Sequence, residues 1–440
     1  MFCEVSGPLA RAGGPGQGPG HTLDSTERSR RPLRVARRRS GRLALPGDFR
    51  PHGDYRLSAA VEKIAQLTTV HPRRDIRIAV KQCATLAAAY PGAVELIVAD
   101  GLGDDQAEGV AITDLGHTSA SRLIRPFQGF WRAAGFLFRR RPKVLHFHDP
   151  ELIPVGFVAK LLGIQVVYDV HEDVPSQISG RVSMAKSLRV VLAAGARAAE
   201  WLASRTFDAI LCATPHIARR FPPRKTTVVQ NFPIVAELST ASTVRYSNRP
   251  RRFVYVGVFT RLRGAAEMLG AVCRPELDST AELKIAGSCH PESLWTDLVA
   301  SGNSAGTEFL GWMGRRQVAD LLASARAGLV LFHPVPNHVN AQPNKLFEYM
   351  SAGLPIIASD FPLWRELVDG FECGLLVDPR DPQAIAAAMR WILDHPNEAE
   401  AMGRRGRQAI ESNLNWEQEG RSLLSVYQRI YGQAAPASVV

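Results

Sequence analysis

The chain is poor in cysteine. Six are scattered over 440 residues with no CxxC pair. That excludes a disulfide framework and a thiolate zinc site, and it suits a reducing compartment. Long apolar runs are absent too. None reaches the roughly 18 to 20 residues that a membrane-spanning helix needs, and the first residues lack the apolar segment of a signal peptide. No GxGxxG follows the strand-like stretches 63–70 or 253–256, which argues against a dinucleotide-dependent dehydrogenase. Between Arg28 and Arg42 no aromatic residue is interleaved with the arginines, so a nucleic-acid partner is not expected.

With 45% apolar and 22% charged residues, the composition is that of a soluble globular protein long enough for two full cores. A cytoplasmic location follows as an expectation. The net charge of +11 is unevenly spread. Residues 1–50 hold ten arginines against four acids and so carry six of the eleven charges. This Gly/Pro/Arg-rich leader, 1–54, has too little apolar content to build a core and is expected to be disordered.

Order is expected from about Tyr55. Strands are predicted over 63–70, 93–99, 109–113, 144–147, 164–168, 209–213 and 226–229. Helices are predicted over 76–90, 122–141, 152–162 and 184–204. A Ser/Thr-rich break at 235–250 reads as a linker. Strands then follow over 253–256, 282–286, 308–310, 328–332 and 354–358, with helices over 265–272, after His290, and over 317–325, 344–352, 382–393 and 418–431. The alternation predicts an α/β fold of two doubly wound parallel sheets, one over 55–234 and one over 251–416. A helix in 417–440 is placed to cross back to the first domain. Ligand then belongs in the cleft between the domains, at the carboxyl ends of the strands.

Two elements of the second half point to an anion. GVFTRLRG leaves the strand at 253–256, with Gly257 open to close approach and Arg261 and Arg263 at the cleft mouth. NAQPNKLFEYMSAGLPIIASD, 340–360, reads as loop, helix, turn and strand. Asn344 and Lys345 open its helix, and Glu348 lies one turn in. Either arginine alone is equally a solubilising surface charge. Together with a helix N-terminus and Lys345 they suit a diphosphate, which needs paired cations and backbone donors. In the first half, HFHDPE (His146, His148, Asp149, Glu151) and YDVHEDVP (Asp169, His171, Glu172) follow neighbouring strands. Their density suggests metal ligation, but the spacing is not that of the helical His pair of zinc hydrolases, and no metal is expected. At the first strand turn, HPRRDIR, Arg74 and Arg77 reach a phosphate or cover the surface. The stretch 122–143 carries Arg122, Arg125, Arg132, Arg139, Arg140, Arg141 and Lys143, with five aromatic residues and no acid. Such a helix either packs on a sheet or lies in an anionic membrane surface.

VLHFHDPELIPVG, VVYDVHEDVP, GVFTRLRG, FLGWM and PNKLFEYMSAGLPIIASDFPLWRELV together resemble glycosyltransferase family 4, over about 60–432. The resemblance is nearest to bacterial enzymes of capsule, O-antigen and exopolysaccharide assembly. It implies the GT-B fold and retaining transfer of a hexose-type sugar from a UDP- or GDP-linked donor, with no cofactor or metal, to a glycan or polyprenyl-linked acceptor. It assigns Glu348 to the ribose hydroxyls, the amides of Asn344 and Lys345 to the donor phosphates, and Arg263, with Arg261 second, to the diphosphate charge. It places His148 by the reacting sugar, and Asp149, His146, Asp169, His171 and Glu172 towards the acceptor. One position departs: the family has Glu eight residues before the ribose Glu, and this chain has Asn340. Asn keeps hydrogen-bonding capacity without charge. A non-catalytic nucleotide-sugar binder, or a GT-B epimerase or phosphorylase, is the alternative.

Overall fold

The computed structural model describes residues 63–432 except 108, 119–123, 181–183, 239–243, 278, 301 and 303. The leader 1–54 and Arg122 lie outside the described residues. Among the described residues, the first sheet contains β1 (Ile64–Leu67), β2 (Val94–Val98), β3 (Asp105–Ala107), β4 (Val110–Asp114), β5 (Val144–Phe147), β6 (Gln165–Val170), β7 (Ala209–Cys212) and β8 (Thr226–Val228). Their order is β3-β4-β2-β1-β5-β6-β7-β8, parallel except for β3 at the edge. The second sheet contains β9 (Arg252–Val256), β10 (Glu282–Ala286), β11 (Thr307–Gly311), β12 (Ala327–Val330), β13 (Ile356–Ser359) and β14 (Gly374–Val377). Its order is β11-β10-β9-β12-β13-β14, all parallel.

Both sheets reverse direction of growth once, between β1 and β5 and between β9 and β12. At such a point the loops leaving the two strands splay apart and open a crevice at their carboxyl ends. The four loops concerned are those after Leu67, Phe147, Val256 and Val330. They carry HPRRDIR, HDPE, GVFTRLRG and the run into Asn344, while the cluster with His171 and Glu172 follows the neighbouring β6.

Strands buried on both faces are mainly apolar, as parallel sheets require: β5, β7, β12 and β13 have every residue buried, with His146 and Ser359 the polar exceptions. The helix over 76–90 begins with wider turns than its sequence suggests. Ile76–Cys83 is a π-helix, capped by the Asp75 carboxylate on the amides of Arg77 and Ile78, and Ala84–Ala89 continues it as α-helix. Its wide turn points Arg77, Lys81 and Gln82 inwards together. The C-terminal helix Trp416–Ile430 packs its Trp416, Leu423, Val426 and Tyr427 into the first domain's core. Trp416 donates its indole N–H to Thr85 Oγ1 at 2.9 Å.

Three elements of the second domain go beyond those predicted: β14, the helix Pro362–Val368 and the helix Pro396–Ser412. The last buries mainly small residues, Ala399, Gly403, Gly406 and Ala409 with Ile410, and a stripe of small residues does not register as an apolar face. No helix among the described residues is long and apolar enough to cross a membrane.

Candidate active site

The helix Asn344–Ser351 begins after Pro343, whose fixed φ suits the last extended residue before a helix. Leu346, Phe347, Tyr349 and Met350 are buried, as the spacing predicts for three of them. Tyr349 fixes the helix against the sheet. Its ring lies so close over β12 that a Cβ at Gly328 would stand 2.2 Å from it, and its hydroxyl accepts the Val256 N–H at 2.9 Å. The helix start is thereby held beside the turn that leaves β9. In that turn Gly264 has φ +78°, and a side chain there would stand 2.3 Å from the Leu331 carbonyl oxygen. Only glycine lets the β9 and β12 loops approach so closely.

The side chains at this junction are cationic. Lys345 is buried, with its ammonium 3.5 Å from the centre of the Tyr255 ring and 5.4 Å from that of Phe332. Among the described residues Nζ has no hydrogen-bond acceptor, and it lies against Gly257, where a Cβ would stand 3.3 Å away. Arg263 stacks on the same Phe332 ring at 5.2 Å and donates to the Val258 carbonyl. Burial, and then the nearby Arg263 charge, push the Lys345 pKa well below the usual lysine range. Arg261 is exposed, and so are Asn344 and Asn340, which ends the short helix Pro336–Val339. Glu348 is half-buried and accepts from Arg315 Nη1 at 2.7 Å.

In the first domain Asp169 is the hub. Arg77 holds it bidentately, at 2.8 and 3.2 Å, and Gln82 and His171 Nε2 reach it at 2.7 and 3.0 Å. Burial alone would raise its pKa; Arg77 and His171 outweigh that and hold it well below the carboxylate range. His148 lies behind His171, 3.2 Å from it, and its other ring nitrogen meets Gln66 Oε1 at 2.7 Å. Gln66 Nε2 and the Tyr427 hydroxyl both meet His146 Nδ1, at 2.9 and 2.8 Å. Burial pushes His146 far below the usual histidine range and His171 down to about 4, so these rings are neutral at pH 7.

This placement revises several expectations. Arg77 neither covers the surface nor meets a ligand: it is buried on Asp169, while Arg74 is exposed. His146 and Asp169 are fully buried, so they form the floor under the cleft instead of its acceptor-facing wall. Asp149 is committed to the β1 loop, accepting from the Thr69 amide at 2.6 Å and Thr68 Oγ1 at 2.9 Å. His148 is covered as well. His171, 15% exposed, is the member of the cluster that reaches the cleft. Glu172 is half-buried and bonded to Gln177. His146, His148 and Asp169 bring ligand atoms within 4.8 Å of one another, but Arg77 occupies the carboxylate that a cation would need. Sequence reasoning missed Gln66, Gln82, Lys81, Arg315 and Tyr427. Their partners are distant along the chain, and each alone reads as an ordinary helix or strand residue.

The two halves meet across the cleft. Pro336–Val339 lies against Val174–Ser179 of the first domain. Lys81 Nζ clasps the crossing chain through Asn231 Oδ1 and the Phe232 carbonyl, both at 2.7 Å. Phe232 packs on Phe347 of the helix Asn344–Ser351, with ring centres 4.8 Å apart.

Known proteins agree with this architecture. Residues 79–232 match the family model described as Glycosyltransferase Family 4, and 250–395 match Glycosyl transferases group 1. Glycogen synthase of Mycobacterium tuberculosis is 27% identical over 298 residues, 65% of this chain and 69% of that protein. D-rhamnosyltransferase WbpZ of Pseudomonas aeruginosa is 30% identical over 156 residues, 35% of this chain and 39% of that one. Among solved structures, sucrose-phosphate synthase from Thermosynechococcus elongatus superposes with TM-score 0.67 at 17% identity, covering 84% of this chain and 100% of that one. Anabaena HepE in complex with UDP-glucose does so at 0.62 and 13%, covering 84% and 100%. The chain belongs to glycosyltransferase family 4, has the GT-B fold and is a glycosyltransferase.

Proposed function

We propose that this glycosyltransferase moves a hexose-type sugar from a UDP- or GDP-linked donor to a glycan or lipid-linked acceptor in cell-surface polysaccharide synthesis, with retention at the anomeric carbon. One observation carries the donor reading. Two cations, Lys345 and Arg263, are packed on one ring beside a helix N-terminus, and the buried ammonium has no acceptor among the described residues. A buried unpaired cation is costly unless an anion completes it, and a diphosphate does so. The solved relative in complex with UDP-glucose supports the same ligand class.

In this reading the amides of Asn344 and Lys345, the Lys345 ammonium and Arg263 receive the diphosphate, with Arg261 at the rim. Gly257 lets it approach the backbone, and Glu348 holds the ribose. As the glycosidic bond breaks, negative charge grows on the leaving diphosphate. Cations and N–H groups already aimed there stabilise it without reorganisation, which is the main electrostatic term in such a step. The acceptor attacks from the same face, and a donor phosphate oxygen takes its proton. His171 meets the acceptor side, with His148 and Asp169 fixing its ring from behind. Asn340 contacts the sugar through an uncharged amide. No metal is required where lysine and arginine already match the diphosphate.

Purified protein with a panel of UDP- and GDP-sugars and hydroxyl acceptors tests this. Turnover with an α-linked donor yielding an α-linked product is expected by NMR, and an inverted product contradicts the stereochemical assignment. The helix Arg125–Arg140 exposes Phe127 (68%), Trp131 (62%) and Phe138 between its arginines. This is the pattern of a helix lying in an anionic membrane surface. Sedimentation with phosphatidylglycerol vesicles but not with phosphatidylcholine is expected, and equal recovery with both would remove this contact.

A further inference from the structure

Arg315 opens the helix Arg315–Ala323, four residues after β11 ends, and so sits at the carboxyl edge of the second sheet. Its guanidinium joins two acids that are far apart in the chain. Nη1 donates to Glu348 Oε1 at 2.7 Å, and Nε donates to Glu237 Oε1, in the interdomain linker, at 2.6 Å. Burial opposes its charge, but the two carboxylates outweigh this and raise its pKa. Among the described residues, Arg315 is the only side chain hydrogen-bonded to the Glu348 carboxylate, and it engages one oxygen of the two.

Glu348 has other cations nearby. Its charge acts on both Lys81 and Lys345, and the Lys345 ammonium has no acceptor. Released from Arg315, the Glu348 carboxylate, one helical turn from Lys345, would be free to turn towards that ammonium. That would turn the carboxylate away from a ribose and fill the place of a phosphate in one movement. Arg315 opposes this by holding the carboxylate through Nη1, and Glu237 in turn holds the same guanidinium through Nε. A planar guanidinium can grip two acids at once in a fixed geometry; an ammonium cannot.

We propose that Arg315 is a positioning residue of the donor site, holding Glu348 where it meets the ribose hydroxyls and tying that grip to the linker through Glu237. The proposal rests on the nucleotide-sugar reading above. The readout is the ratio of affinities for UDP and 2′-deoxy-UDP, or for GDP and 2′-deoxy-GDP, whichever base the wild type binds. The ratio cancels losses common to both ligands, such as a loosened linker.

Wild-type protein is expected to prefer the ribonucleotide by about tenfold, the worth of one hydrogen bond to a charged group. Arg315→Met is expected to reduce the preference to near unity, and Arg315→Lys to restore part of it. Each variant is checked by its unfolding temperature. Should Arg315→Met fail to fold, Arg315→Lys and Glu237→Gln carry the test, each with a reduced ratio expected. A full wild-type preference retained in the folded variants overturns the proposal alone. Wild-type protein that binds neither diphosphate, or shows no ribose preference, overturns the Glu348 assignment and this proposal with it.

Discussion

Replacing Lys345 with methionine should move binding and stability in opposite directions. Methionine keeps the length and most of the volume of the lysine stem, so it still fills the space over Tyr255 and beneath Gly257. The ammonium it removes is buried with no acceptor, and such a group costs about 1–3 kcal/mol. Loss of the cation–π contact at 3.5 Å takes back about 1 kcal/mol, and the sulfur recovers part of that against the ring. A net gain of about 1 kcal/mol is expected, which raises the unfolding temperature of a domain of this size by about 2–4 °C. Nucleotide binding should suffer. A charged hydrogen bond to phosphate contributes about 1.5–3 kcal/mol, so affinity for UDP or GDP should fall by about 10- to 150-fold. Titration calorimetry and thermal unfolding read the two effects. Calorimetry also reports protons. Lys345 has a depressed pKa when free, and a bound diphosphate raises it, so binding should take up a proton between those two values. Buffers of different ionisation enthalpy reveal the uptake, and the variant should lose it. A variant that is less stable and binds normally would show that Lys345 serves packing, refuting the reasoning.

Two further outcomes follow from the other charged groups. Arg77→Met leaves the buried Asp169 without its charged partner, which should cost about 3–5 kcal/mol in urea unfolding. Adding Asp169→Asn to it should recover part of that loss, whereas additive losses would mean that the pair is not coupled. Lys81 has its pKa lowered by burial to about 7, against 10.5 for a free lysine. Between those values the unfolded chain binds more protons, so stability rises with pH. Relative to Lys81→Met, the wild type should gain up to about 1.4 kcal/mol per pH unit above about 7, and a flat difference from pH 7 to 9 would contradict the burial of its charge.

The sequence showed the fold and one side of the site well, because their signals are local. The segment 340–360 declares loop, helix, turn and strand through Pro343, Leu346, Phe347, Gly353 and the Ile pair at 356–357. GVFTRLRG marks the facing turn by glycine and arginine alone. What stayed hidden depends on distant partners. Asp169 reads as a cleft carboxylate until Arg77, 92 residues earlier, is seen clamped on it. His148 reads as a free imidazole until Gln66 and His171 take both its nitrogens. The floor of the first domain is completed by Tyr427, which meets Gln66 across 361 residues. Lys345 was legible as a cation near a phosphate, but not as a buried ammonium left without an acceptor, because that follows from Gly257, Tyr255 and Phe332 closing around it.

The central claim is that the cleft receives a nucleoside diphosphate sugar. A thermal-unfolding screen of UDP- and GDP-sugars on the purified chain tests it most directly. A ligand at 100 times its dissociation constant stabilises the folded state by about 2.7 kcal/mol, a shift of several degrees. Such a shift is expected for at least one UDP- or GDP-sugar, with none for the parent nucleoside and a much smaller one for Lys345→Met. No shift with any member of the panel would contradict it.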